Sequence, residues 1–200
     1  MDKEAILRMK TRVINIEEYT KILTTISNGF VYRINGTDKK FRPNSKVKLA
    51  LMLESNLGIR IGDVLSLTKK SFRSNGNNIV LDIIEEKTGK NRTFSVPKEI
   101  YLVVKEYALD NGTGDDKLIE LTERAVQKQL KIVCDHLGLE NVSTHSFRKF
   151  YANEIFNSNG QNIELVRTLL QHSTIAVTQK YIGVSSAEIE EAISKHIHIV

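Results

Sequence analysis

One stretch of strand-like sequence sits inside a chain otherwise patterned for helices, and that contrast sets the fold class. From Asn78 to Glu86 the run contains Ile79, Val80, Leu81, Ile83 and Ile84. Lys87-Thr88-Gly89-Lys90 then turns the chain, and Thr93-Phe94-Ser95-Val96 alternates polar and apolar before Pro97. This pattern predicts a β-hairpin, with Gly89 supplying the positive φ that such turns need. On either side the periodicity is helical. Ile16, Tyr19, Ile22, Leu23 and Ile26 predict a helix ended by Asn28-Gly29, and residues 33–44 read as a loop. Ser45 is placed to cap a helix through Val47, Leu49, Ala50, Leu51 and Leu53 that stops at Asn56 to Gly58, and a shorter helix follows from Ile61 to Leu67. Beyond the hairpin, helices are predicted over 98–109 and 122–137. The second of these carries Val126, Leu130, Val133, Cys134 and Leu137 on one face, with Gly138 as its stop. Further helices are predicted at about 146–157, 162–170 and 174–182, and a last one from Ser185, where Ser185-Ser186-Ala187-Glu188 has capping-box spacing. The expected class is mainly α with a small antiparallel β-sheet (α+β).

Composition narrows the function. The chain has 200 residues, 40% of them hydrophobic, enough to bury roughly 70% of the unfolded surface without metals or cross-links. A single cysteine, Cys134, rules out an internal disulfide. No charged-then-apolar leader and no apolar run of about 18 residues appears. The expectation is a cytoplasmic protein with no membrane partner. Residues 1–48 carry eleven Lys/Arg and five Asp/Glu, a balance of +6, against −1 for residues 49–200. A basic amino-terminal quarter suits a polyanion such as nucleic acid; a merely solvated basic end fits the charge equally well.

Several polar residues sit where chemistry is plausible, although each has an ordinary alternative. Arg60 follows Leu57-Gly58-Ile59 at a break between two apolar helices. His145 and Arg148, three apart at a helix start, share a face, which suits an anion or a satisfied surface pair. His172 follows Leu169-Leu170-Gln171, and Tyr181 comes nine residues later. Taken in order, four motifs fit one pattern: Gly58-Ile59-Arg60-Ile61-Gly62-Asp63-Val64-Leu65-Ser66-Leu67, a hairpin lysine, His-x-x-Arg, and Leu-x-His with a tyrosine nine on. This set resembles the catalytic domain of the tyrosine recombinases, the phage integrase family, over about residues 15–195.

Carried onto this sequence, the resemblance implies a site of Arg60, Lys87, His145, Arg148, His172 and Tyr181. Lys87-Thr88-Gly89-Lys90-Asn91-Arg92 reproduces a Lys-x-x-Lys-x-Arg context in which Lys90 competes with Lys87. Asp63 stands where a glutamate is common, and Gln171 replaces the glycine that usually precedes the second histidine. The implied chemistry is attack by the tyrosine hydroxyl on a DNA phosphodiester, giving a 3′-phosphotyrosyl link and a free 5′-hydroxyl, with no cofactor because the bond energy is kept in the covalent link. No GxxxxGK[ST] loop is present, in keeping with that. Lys39, Lys40, Arg42, Lys90 and Arg92 are the expected DNA-binding residues. No metal is expected, since neither Cys134 with His136 nor His196 with His198 makes a closed four-ligand site.

The resemblance further implies a bacterial or phage origin, a double-stranded DNA partner, and a homo-oligomer of four on DNA, assembled through a carboxy-terminal helix over 186–198. It also implies that residues 1–14 are a basic linker or tail, with 15–200 the catalytic domain and the family's amino-terminal core-binding domain absent. A type IB topoisomerase and a non-catalytic DNA-binding module are the competing readings.

Overall fold

The computed structural model describes residues 11–76, 78–114, 116–179 and 181–182. Helix α1, Ile16–Asn28, begins at Asn15, whose side chain accepts from the Glu18 backbone N–H at 2.8 Å while the Glu18 carboxylate accepts from the Asn15 N–H at 3.1 Å. That reciprocal capping box satisfies two otherwise orphaned amides. The same Glu18 holds Arg12 at 2.6 Å, and Ile14 is buried, so residues 11–14 belong to the folded unit. The packed boundary therefore lies earlier than the expected linker end at residue 14, and residues 1–10 fall outside the described set.

Residues 33–44, expected to be a loop, are mostly a β-hairpin. Strands β1, Phe30–Ile34, and β2, Thr37–Phe41, pair antiparallel from Phe30↔Phe41 to Ile34↔Thr37. Asn35 and Gly36 both take positive φ, 50° and 76°. Asn-Gly favours that two-residue turn, and the aromatic and β-branched residues of Phe30-Val31-Tyr32-Arg33-Ile34 favour the strand. Phe30 stacks on Phe41 at 5.0 Å and on His136 at 4.0 Å, which fastens the hairpin by its aromatic face.

Helix α2, Ser45–Leu57, is capped by Asn44, one residue before the expected Ser45; the Asn44 side-chain Oδ1 accepts from the Val47 N–H at 3.0 Å. Helix α3, Ile61–Ser66, follows, then one 3₁₀ turn at Lys69–Ser71. The strand-like stretch forms β4, Asn78–Ile84, and β5, Asn91–Val96, as expected, with Gly89 at φ 64° in the turn. An additional short strand, β3, Phe72–Asn75, pairs on the other edge of β4 and completes an antiparallel three-stranded sheet. Among the described residues there are thus two small sheets where one was expected. Helices α4, Lys98–Asp110, and α5, Glu123–Leu137, come next; Thr122 caps α5 and Gly138, at φ 68°, ends it. Helix α6 spans Thr144–Ser158.

The chain divides into two units, Met1–Tyr151 and Ala152–Val200. In the first, α1, α2, α3 and α5 pack around Ile22, Ile26, Leu51, Leu53, Leu57, Val126 and Val133, all 1% exposed or less. Cys134 is part of this core, and burial pushes its thiol up to about 12, with Asp135 adding to the shift, which leaves it inert. In the second unit, α7, Ile163–Leu170, buries Val166 and Leu170, and a short α8, Ile175–Gln179, follows. The expected helix over 174–182 is shorter than predicted, because Tyr181 and Ile182 already lie in a turn. The expected helix 186–198 lies outside the described residues. Among the described residues, no helix is long and apolar enough to cross a membrane.

Candidate active site

Arg60 owes its position to the glycine two residues before it. Gly58 ends α2 in the left-handed conformation, φ 58°, and donates its N–H to Glu54 O at 3.1 Å. A β-carbon there would clash with the Cδ1–Cε1 edge of the Tyr151 ring, at 3.0 Å from Cζ. The turn exposes main-chain carbonyls that two arginines then use. Gly58 O accepts from Arg148 Nη1 at 2.6 Å and from Arg92 Nη1 at 3.3 Å, and Leu57 O accepts from Arg92 Nη2 at 3.5 Å. Gly58→Ala combines left-handed strain with overlap on an aromatic ring. It is expected to destabilise the protein by about 3 kcal/mol, measured as a lower urea midpoint at unchanged m-value.

Asp63 and Glu85 tie this helix junction to the β4–β5 turn. Asp63 is 1% exposed and accepts from the Glu86 N–H at 2.9 Å, so an aspartate suffices where a glutamate is common. Glu85, also 1% exposed, accepts from Arg60 Nη1 at 2.8 Å and Thr88 Oγ1 at 2.9 Å, with Arg92 Nη1 at 3.4 Å from its other oxygen. Burial opposes the Glu85 charge, but the hydrogen bonds from Arg60 and Thr88 and the charges of Arg60 and Arg92 prevail and hold its carboxyl below the usual range. Lys87 and Lys90 both lie exposed on this turn.

His145 and Arg148 rise from the first turns of α6, and Arg148 is fully buried. His145 is pushed down to about 4, first by burial, then by the positive charges of Arg148, Lys149, Arg60 and Lys87. Four residues named from sequence, Arg60, Lys87, His145 and Arg148, therefore share one cationic neighbourhood in the first unit. The imidazole within it is neutral at physiological pH and able to accept a proton. The pH dependence of stability follows in sign. Between about pH 6.5, where an unfolded histidine titrates, and about 4, the unfolded chain holds a proton at residue 145 that the folded chain lacks. Acidification through this window therefore removes stability. Replacing His145 with glutamine is expected to lower the slope of unfolding free energy against pH there by roughly one proton, measured by urea titrations at successive pH values.

Burial pushes the Glu54 carboxyl well above the usual carboxylate range, although the charge of Arg148 pulls the other way. The Tyr151 phenol is likewise raised by burial, and its ring packs on Gly58.

The second unit brings His172 and Tyr181 together. Gln171 takes the left-handed cap of α7 at φ 54°, which explains why a glycine is usual at this position. His172 donates its N–H to Arg167 O at 3.0 Å, its own carbonyl accepts from Arg167 Nη1 at 2.9 Å, and its Nδ1 lies 3.1 Å from Thr178 Oγ1. The His172 and Tyr181 rings are 4.6 Å apart between centroids, and the Tyr181 N–H donates to Thr178 O at 2.8 Å.

Of the expected DNA-binding residues, Lys39, Lys40, Arg42 and Lys90 are exposed. Arg92 is corrected: at 3% exposed it lies inside the domain, bound to Glu85 and the α2 carbonyls, with Phe94 under its guanidinium at 4.7 Å. Glu85 and Asp63 were not singled out as site residues from sequence. Period-two alternation carries a signal for Glu85, since one residue beyond β4 it continues the buried alternation of Leu81 and Ile83. Among the described residues no group of three or more potential metal ligands occurs.

The phage integrase family model matches residues 12–188. A protein of Acholeplasma phage L2 named "Probable integrase/recombinase" is 31% identical over 84% of this chain and 54% of its own length. Tyrosine recombinase XerA of Pyrococcus furiosus is 24% identical over 76% of this chain and 56% of its own length. The chain thus spans about half the length of these relatives. Among solved structures, XerH recombinase bound to its difH substrate after cleavage superposes with a TM-score of 0.69 at 21% identity, covering 91% of this chain and 52% of that one. The catalytic domain of bacteriophage HP1 integrase gives 0.60 at 19% identity, covering 94% of this chain and 96% of that one. The backbone is therefore the tyrosine recombinase catalytic-domain fold. With its helix-junction arginine, hairpin lysine and His-x-x-Arg gathered in one cationic cluster, the chain belongs to the phage integrase family.

Proposed function

We propose that this chain is the catalytic domain of a site-specific DNA recombinase that cuts and rejoins strands through a 3′-phosphotyrosyl intermediate. The observation that carries the reading is the match to the phage integrase family model over residues 12–188, and the charges of Arg60, Lys87, Arg148 and Lys149 acting on His145 support it. In this mechanism Tyr181 Oη attacks the scissile phosphorus, a new O–P bond forms, and the bond to the 5′-oxygen breaks. A free tyrosine, with a pKa of about 10, is ionised in only about one molecule in a thousand at neutral pH, so a base is needed. His145 takes the phenolic proton, and Lys87 protonates the departing 5′-oxygen. Arg60 and Arg148 stabilise the charge that builds on the non-bridging oxygens, since each guanidinium stays cationic and presents a planar fork to phosphate. His172 donates a further hydrogen bond to the same oxygens.

Duplex DNA is the proposed partner, engaged electrostatically by Lys39, Lys40, Arg42 and Lys90. In the same reading the segment over 186–198, with Ile189, Ala192, Ile193 and Ile197 at helical spacing, docks on a neighbouring copy in a four-subunit assembly. The protein works in the cytoplasm.

The test is covalent trapping. Nicked duplexes of random sequence, whose short downstream strand diffuses away after cleavage, are incubated with the chain and resolved under denaturing conditions. A protein–DNA adduct whose DNA-linked peptide contains Tyr181 is the expected result. Absence of any adduct, with DNA binding retained, favours a binding module. Relaxation of a supercoiled plasmid by single copies favours a topoisomerase.

A further inference from the structure

Outside the six residues assigned to the reaction, the feature that stands out is a buried carboxylate at the foot of the lysine-bearing turn. Glu85 is 1% exposed, and its backbone closes that turn: its N–H donates to Lys90 O at 2.9 Å, and its carbonyl accepts from the Gly89 N–H at 2.8 Å. Its side chain leaves the turn and takes the Arg60 guanidinium at 2.8 Å. The oxygen that holds Arg60 also accepts from Thr88 Oγ1 at 2.9 Å, one residue beyond Lys87. One carboxylate therefore links the guanidinium proposed to bind phosphate and the turn proposed to carry the general acid. The Arg60 side chain keeps 26% of its surface exposed while engaged in this pair, and its Nη1 also lies 3.9 Å from Asp63 Oδ2.

We propose that Glu85 is a positioning residue for strand cleavage, aiming Arg60 and setting the Lys87 turn through Thr88; this rests on the recombinase reading above. A guanidinium paired on one edge loses fewer rotamers when a phosphate arrives on the other, which is the pre-organisation that transition-state stabilisation requires. A buried acid beside a polyanion's binding site opposes ground-state binding. Its place inside a cationic cluster therefore argues for a role in the chemical step over one in affinity.

The measurement uses the full chain and a nicked duplex recovered from the random-sequence trapping, and compares single-turnover adduct formation with duplex affinity. Glu85→Gln keeps the side-chain volume and an acceptor oxygen but removes the charge. It is expected to slow adduct formation by at least thirtyfold while duplex affinity stays the same or tightens. Glu85→Asp, which keeps the charge, is expected to recover more of the rate than Glu85→Gln. Thr88→Val, which cuts the link to the turn without altering charge, is expected to slow cleavage severalfold at unchanged affinity and unchanged unfolding midpoint. A wild-type rate in both Glu85→Gln and Thr88→Val, or a loss of rate matched by an equal loss of affinity, overturns the proposal. Failure of the wild-type chain to form any adduct overturns the recombinase reading and this inference with it, whereas an adduct formed equally by wild type and the variants overturns the inference alone.

Discussion

Replacing Tyr181 with phenylalanine is expected to abolish adduct formation, a loss beyond about ten-thousandfold and equivalent to more than about 5 kcal/mol of barrier. The substitution removes one oxygen and little else. The ring still faces His172 at 4.6 Å between centroids, and the backbone N–H still donates to Thr178 O. Duplex affinity, read by gel retardation, should therefore stay within about threefold of wild type, because electrostatic attraction to phosphates does not involve the phenol. Three of the other described tyrosines are better explained as packing. Tyr19 stacks on Phe150 at 5.0 Å, Tyr107 is 9% exposed, and Tyr151 fills the space over Gly58. Adduct surviving in Tyr181→Phe would move the nucleophile to one of these and break the link between this sequence pattern and the reaction.

Much of the architecture was legible because its signals are local. The stripe Ile22, Leu23, Ile26 and the face Val126, Leu130, Val133, Cys134 need only a period to be read, and each is buried as predicted. Gly89 and Gly138 mark a turn and a helix stop through φ alone. The β1–β2 hairpin was missed although Asn35-Gly36 is a strong turn pair. Its strands are short, and the exposed positive charge around them reads as solvated loop. Strand β3 has four residues and owes its existence to the edge of β4, which no local pattern announces. At the site, the residues assigned to phosphate in the proposed reaction can be named from the sequence because their motifs carry type and order together. Their supports cannot. Glu54, Asp63, Glu85 and Arg92 are charged or ionisable groups in the interior, and whether such a group is tolerable depends on partners distant in sequence. Arg92 illustrates the difference. A Lys-x-x-Lys-x-Arg context places it at a DNA surface, whereas strand alternation puts it on the same face as Phe94 and Val96, beside Ile83.

Arg148→Lys is expected to slow single-turnover cleavage about a thousandfold, roughly 4 kcal/mol, with little change in duplex affinity. The charge is conserved, so the effect must come from shape. Arg148 is fully buried and spends Nη1 on Gly58 O at 2.6 Å, which orients the remainder of its fork. A lysine ammonium is a single point that must either satisfy the Gly58 carbonyl or follow the phosphate, and it lacks the planar geometry that matches two phosphate oxygens together. If it stays on the carbonyl, the developing charge on phosphorus loses its donor. If it leaves, Gly58 O retains only the longer contact from Arg92 at 3.3 Å, and the junction that presents Arg60 loosens. Both outcomes weaken the transition state more than the ground state, so the loss should appear in the cleavage rate and not in binding. Wild-type cleavage by Arg148→Lys would mean that bulk positive charge suffices, and the geometric role assigned to the Gly58 turn would then have no part in catalysis.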